Sequence, residues 1–206
     1  MTARHTGIAV LVPAIALLAL VGCDRKGETK PGEAEVLAPS TGPATTDPMV
    51  GGAPMSPRAT VMENASKAAN LTTLVSAIQT AGLADTLGAT GPFTVFAPDN
   101  AAFEKVPAET RQRLATPAGK SDLTKLLTYH VVPGRLTAAD LSARADPATG
   151  KIELTTVEGE PLIAAVSPDG SITLTDARGG SAKVTQADVG QSNGVIHVID
   201  TVAMPK

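Results

Sequence analysis

The residues that could carry out chemistry are few, and the first is a serine between two glycines. Gly190, Ser192 and Gly194 match the pattern G-x-S-x-G, and His197 follows closely. A serine in that pattern is a nucleophile when it sits on a sharp turn between a strand and a helix. Here the β-branched run Val195–Ile199 follows instead of a helix. We therefore expect Ser192 at the tip of a hairpin, and an envelope serine hydrolase that uses it is kept only as an alternative.

The two histidines outside the amino-terminal segment, His130 and His197, are the only other candidates for a reactive or metal-binding group. Neither has a second histidine or a cysteine at ligand spacing. Asp200 falls on the opposite face of a regular strand from His197. We therefore expect no metal site, no cofactor and no catalytic residue. His197 is predicted to be structural, a buried imidazole that needs one donor and one acceptor.

The single cysteine, Cys23, stands at the end of an export signal. Arg4 begins a short basic end, and the apolar run from Ile8 to Leu20 is shorter than the roughly twenty residues that span a bilayer. The next residues, Leu-Val-Gly-Cys before residue 24, resemble a bacterial lipobox, in which the leader is cleaved before a cysteine that receives diacylglycerol. We predict a signal peptide over residues 1–22 and lipidation at Cys23, with a spare thiol on a secreted protein as the alternative.

The segment that follows the cysteine has the composition of a linker. It is rich in Pro, Gly, Thr, Ala and Glu, and no apolar period is sustained through it. We predict that residues 23–59 hold the lipidated cysteine and a disordered linker, and that residues 60–206 form one domain. Acyl chains on Cys23 attach a chain to a membrane permanently, so the predicted location is the cell envelope, facing the periplasm or the cell exterior.

The overall composition excludes nucleic acid as a partner. The chain has 17 Lys and Arg against 20 Asp and Glu, so no domain-wide basic field exists to bind phosphates. It also has no Trp, one Tyr and three Phe, which leaves few rings on which bases could stack. The core must therefore be built mainly from aliphatic side chains.

Helical signals come first along the domain. Apolar residues recur at i, i+3, i+4 and i+7 from Leu71, and Gly82 is a plausible end for that helix. Ser121 is predicted to cap a second helix, and Thr137–Asp140 resembles a capping box that opens a third. These helices precede most of the strand-like segments.

All three phenylalanines lie in one short stretch that reads as a strand followed by a helix. Phe93–Phe96 is predicted to be the strand, and Asp99 is predicted to cap the helix that carries Phe103. A strand that leads directly into a capped helix is expected to point Phe96 and Phe103 toward the same interior. We therefore assign both rings, like Asp99, to the structure rather than to a binding patch.

The second half of the domain has the period of two that is typical of strands. Four runs show it: Lys151–Val157, Pro161–Ser167, Ser171–Asp176 and Ala182–Val189. Asn193-Gly194 is then predicted to be a hairpin turn before a last strand, Val195–Val202. Helices first and a meander of strands last predict an α+β fold with an antiparallel sheet or sandwich.

Four motifs in this order resemble a fasciclin-like domain. They are Phe93–Phe103 (FTVFAPDNAAF), Leu126–Gly134 (LLTYHVVPG), Leu136–Leu141 (LTAADL) and Asn193–Asp200 (NGVIHVID). The motifs cover the length of the domain. The resemblance implies a wedge-shaped β-sandwich flanked by N-terminal helices, and a module that contacts proteins or glycans in cell adhesion and matrix assembly without catalytic activity.

The resemblance also implies candidate partner-binding residues. In some animal members a Tyr-His pair with neighbouring aliphatic residues is tied to integrin binding, and the matching positions are Tyr129 and His130 with Leu126 and Leu127. Integrins are not an obvious partner for a bacterial lipoprotein, and two rings buried at a helix end are the plainer account. We predict an envelope-anchored, non-enzymatic monomer that binds an unidentified protein or polysaccharide, with a passive envelope spacer as a further alternative.

Overall fold

The structure is a computed structural model and describes residues 47–206. The predicted signal peptide, Cys23 and the first part of the predicted linker lie outside these residues. No helix in the described range is both long and apolar enough to cross a membrane.

A small hairpin precedes the first helix, inside the segment predicted to be linker. Strands β1 (Met49–Val50) and β2 (Ala53–Pro54) pair antiparallel. Val50 and Met55 have exposures of 1% and 0% and belong to the core. The linker predicted to reach residue 59 is therefore too long, because two apolar side chains within a proline- and glycine-rich stretch insert into the folded domain.

Most of the helices lie before the long run of strands, as predicted. Within the described residues they are α1 (Val61–Ala65), α2 (Thr72–Ala81), α3 (Ala84–Gly88), α4 (Asn100–Glu104), α5 (Ala108–Ala115), α6 (Lys120–Tyr129) and α7 (Ala138–Arg144). Gly82 ends α2 with a φ of 77°, a left-handed conformation that glycine adopts without steric cost.

Two of the three helix N-caps that the sequence predicted are present in the structure. The Asp99 side chain accepts a hydrogen bond from Ala102 N at 2.7 Å, and Thr137 with Asp140 forms the predicted capping box of α7. The cap predicted at Ser121 is wrong, since α6 already begins at Lys120. A 3₁₀ turn precedes α6, and the Thr116 hydroxyl caps that turn instead.

Seven strands of the described chain form one mixed sheet. They are β3 (Phe93–Pro98), β4 (Val131–Pro133), β5 (Lys151–Thr155), β6 (Pro161–Val166), β7 (Ile172–Thr175), β8 (Ser181–Gln191) and β9 (Gly194–Ile199), in the order β4-β3-β9-β8-β7-β6-β5. Strands β3 and β9 are parallel, so the sheet is not wholly antiparallel as predicted; the other pairs are antiparallel.

The sheet folds over itself at its longest strand, β8. The first residues of β8 pair with β7, and the residues from Val184 onward pair with β9. The register shifts twice between Val184 and Val189, and Asp188 has a φ of 59°. Such bulges bend a strand and increase its twist. At the far ends of the sheet, Val157 N donates to Val131 O at 2.8 Å, so the sheet nearly closes.

The β8–β9 hairpin is present, but its turn lies one residue earlier than predicted. Gln191 pairs with Gly194, so Ser192 and Asn193 form the turn and Gly194 begins β9. A Cβ at Gly194 would lie 2.1 Å from Phe93 O. Glycine is thus required at position 194 for the close approach of β3 and β9 rather than for the turn.

The interior is divided into two cores, one on each face of β3 and β9. The helix-side core lies against the helices and includes Leu71, Leu74, Ile78, Val95, Ala97, Phe103, Val106, Leu123, Leu126, Leu127, Ile196 and Val198. The strand-side core lies within the folded sheet and includes Phe96, Tyr129, Val132, Leu136, Leu141, Leu154, Leu162, Ile172, Leu174 and Ile199.

The two cores separate phenylalanines that were expected to share one interior. Phe96 and Phe103 are both buried, with exposures of 0% and 9%, but Phe96 lies in the strand-side core and Phe103 in the helix-side core. Side chains of a strand alternate between faces, so Phe96 points away from Val95 and Ala97. Helix α4 then packs on the opposite face of the sheet from Phe96.

Candidate functional site

Ser192 and His197 do not form a catalytic pair. Ser192 is exposed in the β8–β9 turn, whereas His197 is fully buried. His197 Nδ1 accepts from Asp188 N at 3.3 Å, and Nε2 donates to Leu136 O at 2.9 Å. Both ring nitrogens are therefore engaged, and burial lowers the pKa of His197. The imidazole also stacks on Phe96, with ring centres 5.5 Å apart, which is a structural role.

The residue beside Ser192, Asn193, explains the local structure of this turn. Its Oδ1 accepts from Val61 N at 2.9 Å, and its Nδ2 donates to Leu87 O and Ala89 O at 2.9 and 3.0 Å. One buried amide thus satisfies backbone groups of α1 and of the end of α3. The stretch Gly190–Gly194, which resembles a nucleophile motif, therefore connects the hairpin to the helices through hydrogen bonds of Asn193.

Tyr129, the first of the candidate partner-binding residues, is completely buried at the end of α6. Its hydroxyl donates to Pro161 O and accepts from Ala177 N, each at 2.9 Å. Desolvation by burial raises the pKa of Tyr129 to about 12. The side chain therefore links α6 to β6 and to the loop between β7 and β8.

His130 is buried directly after Tyr129, and its two ring nitrogens also have backbone partners. Nδ1 donates to Leu126 O at 2.7 Å, and Nε2 accepts from Ala203 N at 3.1 Å. This arrangement requires a neutral ring with its proton on Nδ1. Burial lowers the pKa of His130 to about 4, which agrees with a neutral ring at neutral pH.

The four candidate partner-binding side chains are buried, and of these only Leu126 borders a surface depression among the described residues. The exposures of Leu126, Leu127, Tyr129 and His130 are 3%, 3%, 0% and 2%. The end of α6 is covered by the segment around Ala203 on one side and by the sheet on the other. These four residues therefore lie in the interior of the domain.

The described surface has an apolar depression between α2, α5 and α6, here called the helical groove. Its volume is about 460 Å³. Its floor consists of Phe103, Val106, Leu123, Leu126 and Val202 from the helix-side core. Sequence reasoning did not find this groove, because the residues come from four separate parts of the chain and each has the ordinary pattern of a core position.

A second depression lies on the other side of α5 and is here called the basic groove. Its volume is about 340 Å³, and Arg113, Lys125, Arg178 and Lys206 line it with the single carboxylate Asp122. Nε of Arg113 lies 3.8 Å from Oδ2 of Asp122, and the two side chains are 65% and 54% exposed. The four cations lie far apart in sequence, so no charge run indicated this site.

No cluster of three or more His, Cys, Asp or Glu side chains suited to a metal ion occurs within residues 47–206.

The sequence profile of the Fasciclin domain matches residues 69–205 of this chain. A relative from Synechocystis sp., Protein sll1483, is 44% identical over 146 residues, which cover 71% of this chain and 73% of that protein. The Cell surface glycolipoprotein MPB83 of Mycobacterium bovis is 32% identical over 167 residues, covering 80% of this chain and 66% of that protein.

A solved structure gives the same fold. The domain pair of the insect cell adhesion molecule Fasciclin I superimposes with a TM-score of 0.54 at 21% sequence identity, and the match covers 70% of this chain and 50% of that one. Together with the profile match, this agrees with the predicted α+β sandwich with flanking helices. The chain belongs to the fasciclin domain family.

Proposed function

We propose that this protein is a non-enzymatic binding module, attached to the cell envelope through an acylated Cys23, that contacts a protein or polysaccharide partner. The observation that carries the proposal is the Fasciclin domain match over residues 69–205. A hydrolase is disfavoured because His197 is buried and both of its ring nitrogens are bonded to backbone groups away from Ser192.

The sequence before the domain supports the anchor. Cys23 is the only cysteine in the chain and follows an apolar run that ends in Leu-Val-Gly. A relative aligned over 80% of this chain is named a cell surface glycolipoprotein. An acylated Cys23 would place the fasciclin domain of this chain at a membrane surface in a comparable way.

The basic groove is the surface that we assign to the partner. The Tyr129–His130 region is interior, so contact must use exposed side chains. Four cations line the basic groove, in a chain whose net charge is −3. Arg113 lies beside Asp122, and Lys125 pairs with Glu158 and Glu160 at 3.6 and 3.5 Å. Arg178 and Lys206 take part in none of the salt bridges found among residues 47–206, so they supply the positive charge that is left for a partner. A local excess of positive charge attracts anionic groups and accelerates their association. An acidic polysaccharide or an acidic protein face has the matching chemistry.

The anchor is tested by Cys23→Ser. We expect the wild-type chain in the membrane fraction and labelled by an alkyne analogue of palmitate, and the variant unlabelled and released from that fraction. Because no second cysteine exists, the label should disappear entirely. A variant that remains in the membrane fraction would contradict the anchor while leaving the binding proposal untouched.

The partner surface is tested with protein and glycan arrays probed with residues 23–206 carrying Cys23→Ser. Saturable binding should be lost in the double variant Arg113→Glu, Arg178→Glu. The matched control, Arg58→Glu with Lys151→Glu, makes the same charge change at exposed positions outside the groove and should bind as the parent does.

Three results, from the arrays and from a separate assay with ester substrates, would contradict this proposal or its surface. An absence of saturable binding to any protein or glycan would favour a passive spacer. Turnover of ester substrates that disappears with Ser192→Ala would favour a hydrolase. Binding that survives in the double variant would show that the partner uses another surface than the basic groove.

A further inference from the structure

We infer that the helical groove is a binding site for one long-chain carboxylate, with the acyl chain on the apolar floor and the carboxylate at Arg111. This ligand is independent of the protein or polysaccharide proposed above, and it uses a different face of α5, although Leu114 and Leu126 border both grooves. The apolar floor of the groove, its single charged residue and its lightly attached wall all support such a ligand.

The floor of the groove has the chemistry of a site for a hydrocarbon chain. Phe103, Val106, Leu123, Leu126 and Val202 are well packed, with exposures between 3% and 9%, and all five line the groove. A volume of about 460 Å³ lies within the range of small-molecule sites, roughly 300 to 1,000 Å³. An apolar chain placed there removes hydrocarbon surface from water on both partners.

The rim of the helical groove is polar, and it indicates which head group the ligand carries. Helix α2 contributes hydroxyl groups from Thr72, Thr73, Ser76 and Thr80, and Arg111 is the single charged residue in the lining. Arg111 takes part in none of the salt bridges found among residues 47–206. A guanidinium pairs with a carboxylate through two parallel hydrogen bonds, so an anionic head is the complementary group.

The wall that carries Arg111 is lightly attached to the rest of the domain. Helix α5 has no buried residue, and Leu114 is its partly buried apolar contact. Arg111 and Ala115 line the helical groove, whereas Arg113 lines the basic groove on the other side. Elements with few buried contacts open at low free-energy cost, so α5 is the wall that can adjust to a chain entering between it and α2.

The first measurement is a titration of residues 23–206 carrying Cys23→Ser with the fluorescent carboxylate 11-(dansylamino)undecanoic acid. We expect a saturable increase in fluorescence with one site, which palmitate reverses by displacement. Palmitic acid methyl ester has the same chain without the charge, and it should compete about tenfold less well. Equal competition by the acid and the ester would overturn the assignment of the carboxylate to Arg111.

Groove-filling variants locate the site without disturbing the core. Ser76 is exposed and lines the groove, so Ser76→Trp should place a ring across it and weaken the probe at least about tenfold. Gln79→Trp adds the same ring at an exposed position of α2 outside the lining and should bind as the parent does. Urea unfolding of both variants shows that each is folded.

A matched pair of charge variants tests Arg111. Arg111→Gln should weaken the probe by about tenfold, whereas Arg144→Gln, at an exposed position of α7 outside both grooves, should not. No saturable fluorescence change, or equal affinities of the parent and Ser76→Trp, would overturn the inference. So would a groove that binds an amphipathic helical peptide and not the carboxylate.

The failure of this site and the failure of the proposed function are distinguishable. The array experiment depends on Arg113 and Arg178, and the fluorescence titration depends on Ser76 and Arg111. Either result can be negative while the other is positive.

Discussion

The two cores share strands β3 and β9 but differ in how they are held. The strand-side core contains Tyr129 and the stacked pair Phe96 and His197, and each of its polar ring atoms has a hydrogen-bond partner. The helix-side core is aliphatic apart from its phenylalanines and forms the floor of a groove. Directional bonds fix one arrangement, whereas aliphatic contacts permit several.

This difference teaches where the molecule is rigid and where it can adapt. The rings of the strand-side core connect α6, β6 and the β7–β8 loop through backbone groups, so a displacement of one element breaks bonds to the others. On the helix side, the buried amide of Asn193 holds α1 and α3 by hydrogen bonds, whereas the helices around the groove pack mainly through dispersion and burial of apolar area. A ligand site is therefore expected above the helix-side core and not within the folded sheet.

The largest expected effect compares one phenylalanine from each core. Phe96→Ala should lower the free energy of unfolding by about 3–5 kcal/mol, because the ring is fully buried and leaves a closed cavity. Phe103→Ala should lower the free energy of unfolding less than Phe96→Ala does, by a difference of at least about 1 kcal/mol. Phe103 borders the groove, so the space left by its ring can be filled by water or by movement of α5. Urea denaturation measures both, and equal losses would break the comparison.

The second prediction concerns pH and His130. Burial holds the pKa of His130 at about 4 in the folded state, below the usual value of 6.5. Between these values the unfolded chain binds a proton that the folded chain does not, so stability is complete above pH 6.5 and falls as the pH decreases toward 4. The loss should reach about 3 kcal/mol.

The control for this prediction is a side chain that does not titrate. His130→Gln should be less stable at neutral pH, since it cannot reproduce both backbone hydrogen bonds, but its stability should vary less between pH 7 and pH 5. His197, whose pKa is also lowered by burial, contributes in the same direction in both proteins. Parallel urea midpoints for the two proteins across this range would refute the assignment to His130.

The third prediction removes one oxygen from the strand-side core. Tyr129→Phe keeps the ring but leaves Pro161 O and Ala177 N without their partner, so unfolding should become easier by about 1–3 kcal/mol. The measurement is again urea denaturation. A change within experimental error would mean that hydrogen bonds to this hydroxyl do not distinguish the two cores.

The smallest expected effect sharpens the comparison by using a feature that both regions share. Thr60 caps α1 beside the helix-side core, and Thr137 caps α7 beside the strand-side core, each in a complete capping box. Thr60→Ala and Thr137→Ala should each cost about 1 kcal/mol. Similar losses of stability in the two variants, measured by thermal unfolding, would mean that the cores differ in their packing and not in their helix caps. A much larger loss at one site would contradict that conclusion.

Local signals in the sequence were sufficient for most elements. The caps at Asp99 and Thr137 and the end of α2 at Gly82 follow from interactions within a few residues, and the alternation of β5 to β8 is equally local. The hairpin at Ser192 is local as well, although its turn was displaced by one residue. The glycine at position 194 serves a strand that lies far away in sequence, which no local pattern reveals.

The features that the sequence did not predict depend on contacts between residues that lie far apart in the chain. Val50 and Met55 are isolated apolar residues in a linker-like composition, and only the core that receives them makes them structural. The separation of Phe96 from Phe103 depends on which face of the sheet α4 crosses, which residue spacing does not specify. Both grooves flank α5, a helix without a buried face, so no apolar periodicity predicted the helix or the grooves.

The bond between Val157 N and Val131 O has a consequence for how these molecules behave when crowded together. Open sheets present rows of unpaired amides and carbonyls onto which another molecule can add, strand by strand, toward fibrils. The bond between Val157 and Val131 occupies one amide and one carbonyl where the two edges of this sheet approach each other, so fewer such groups are left for that route of self-assembly. Partial closure of the sheet therefore reduces the length of strand edge onto which a second copy could add.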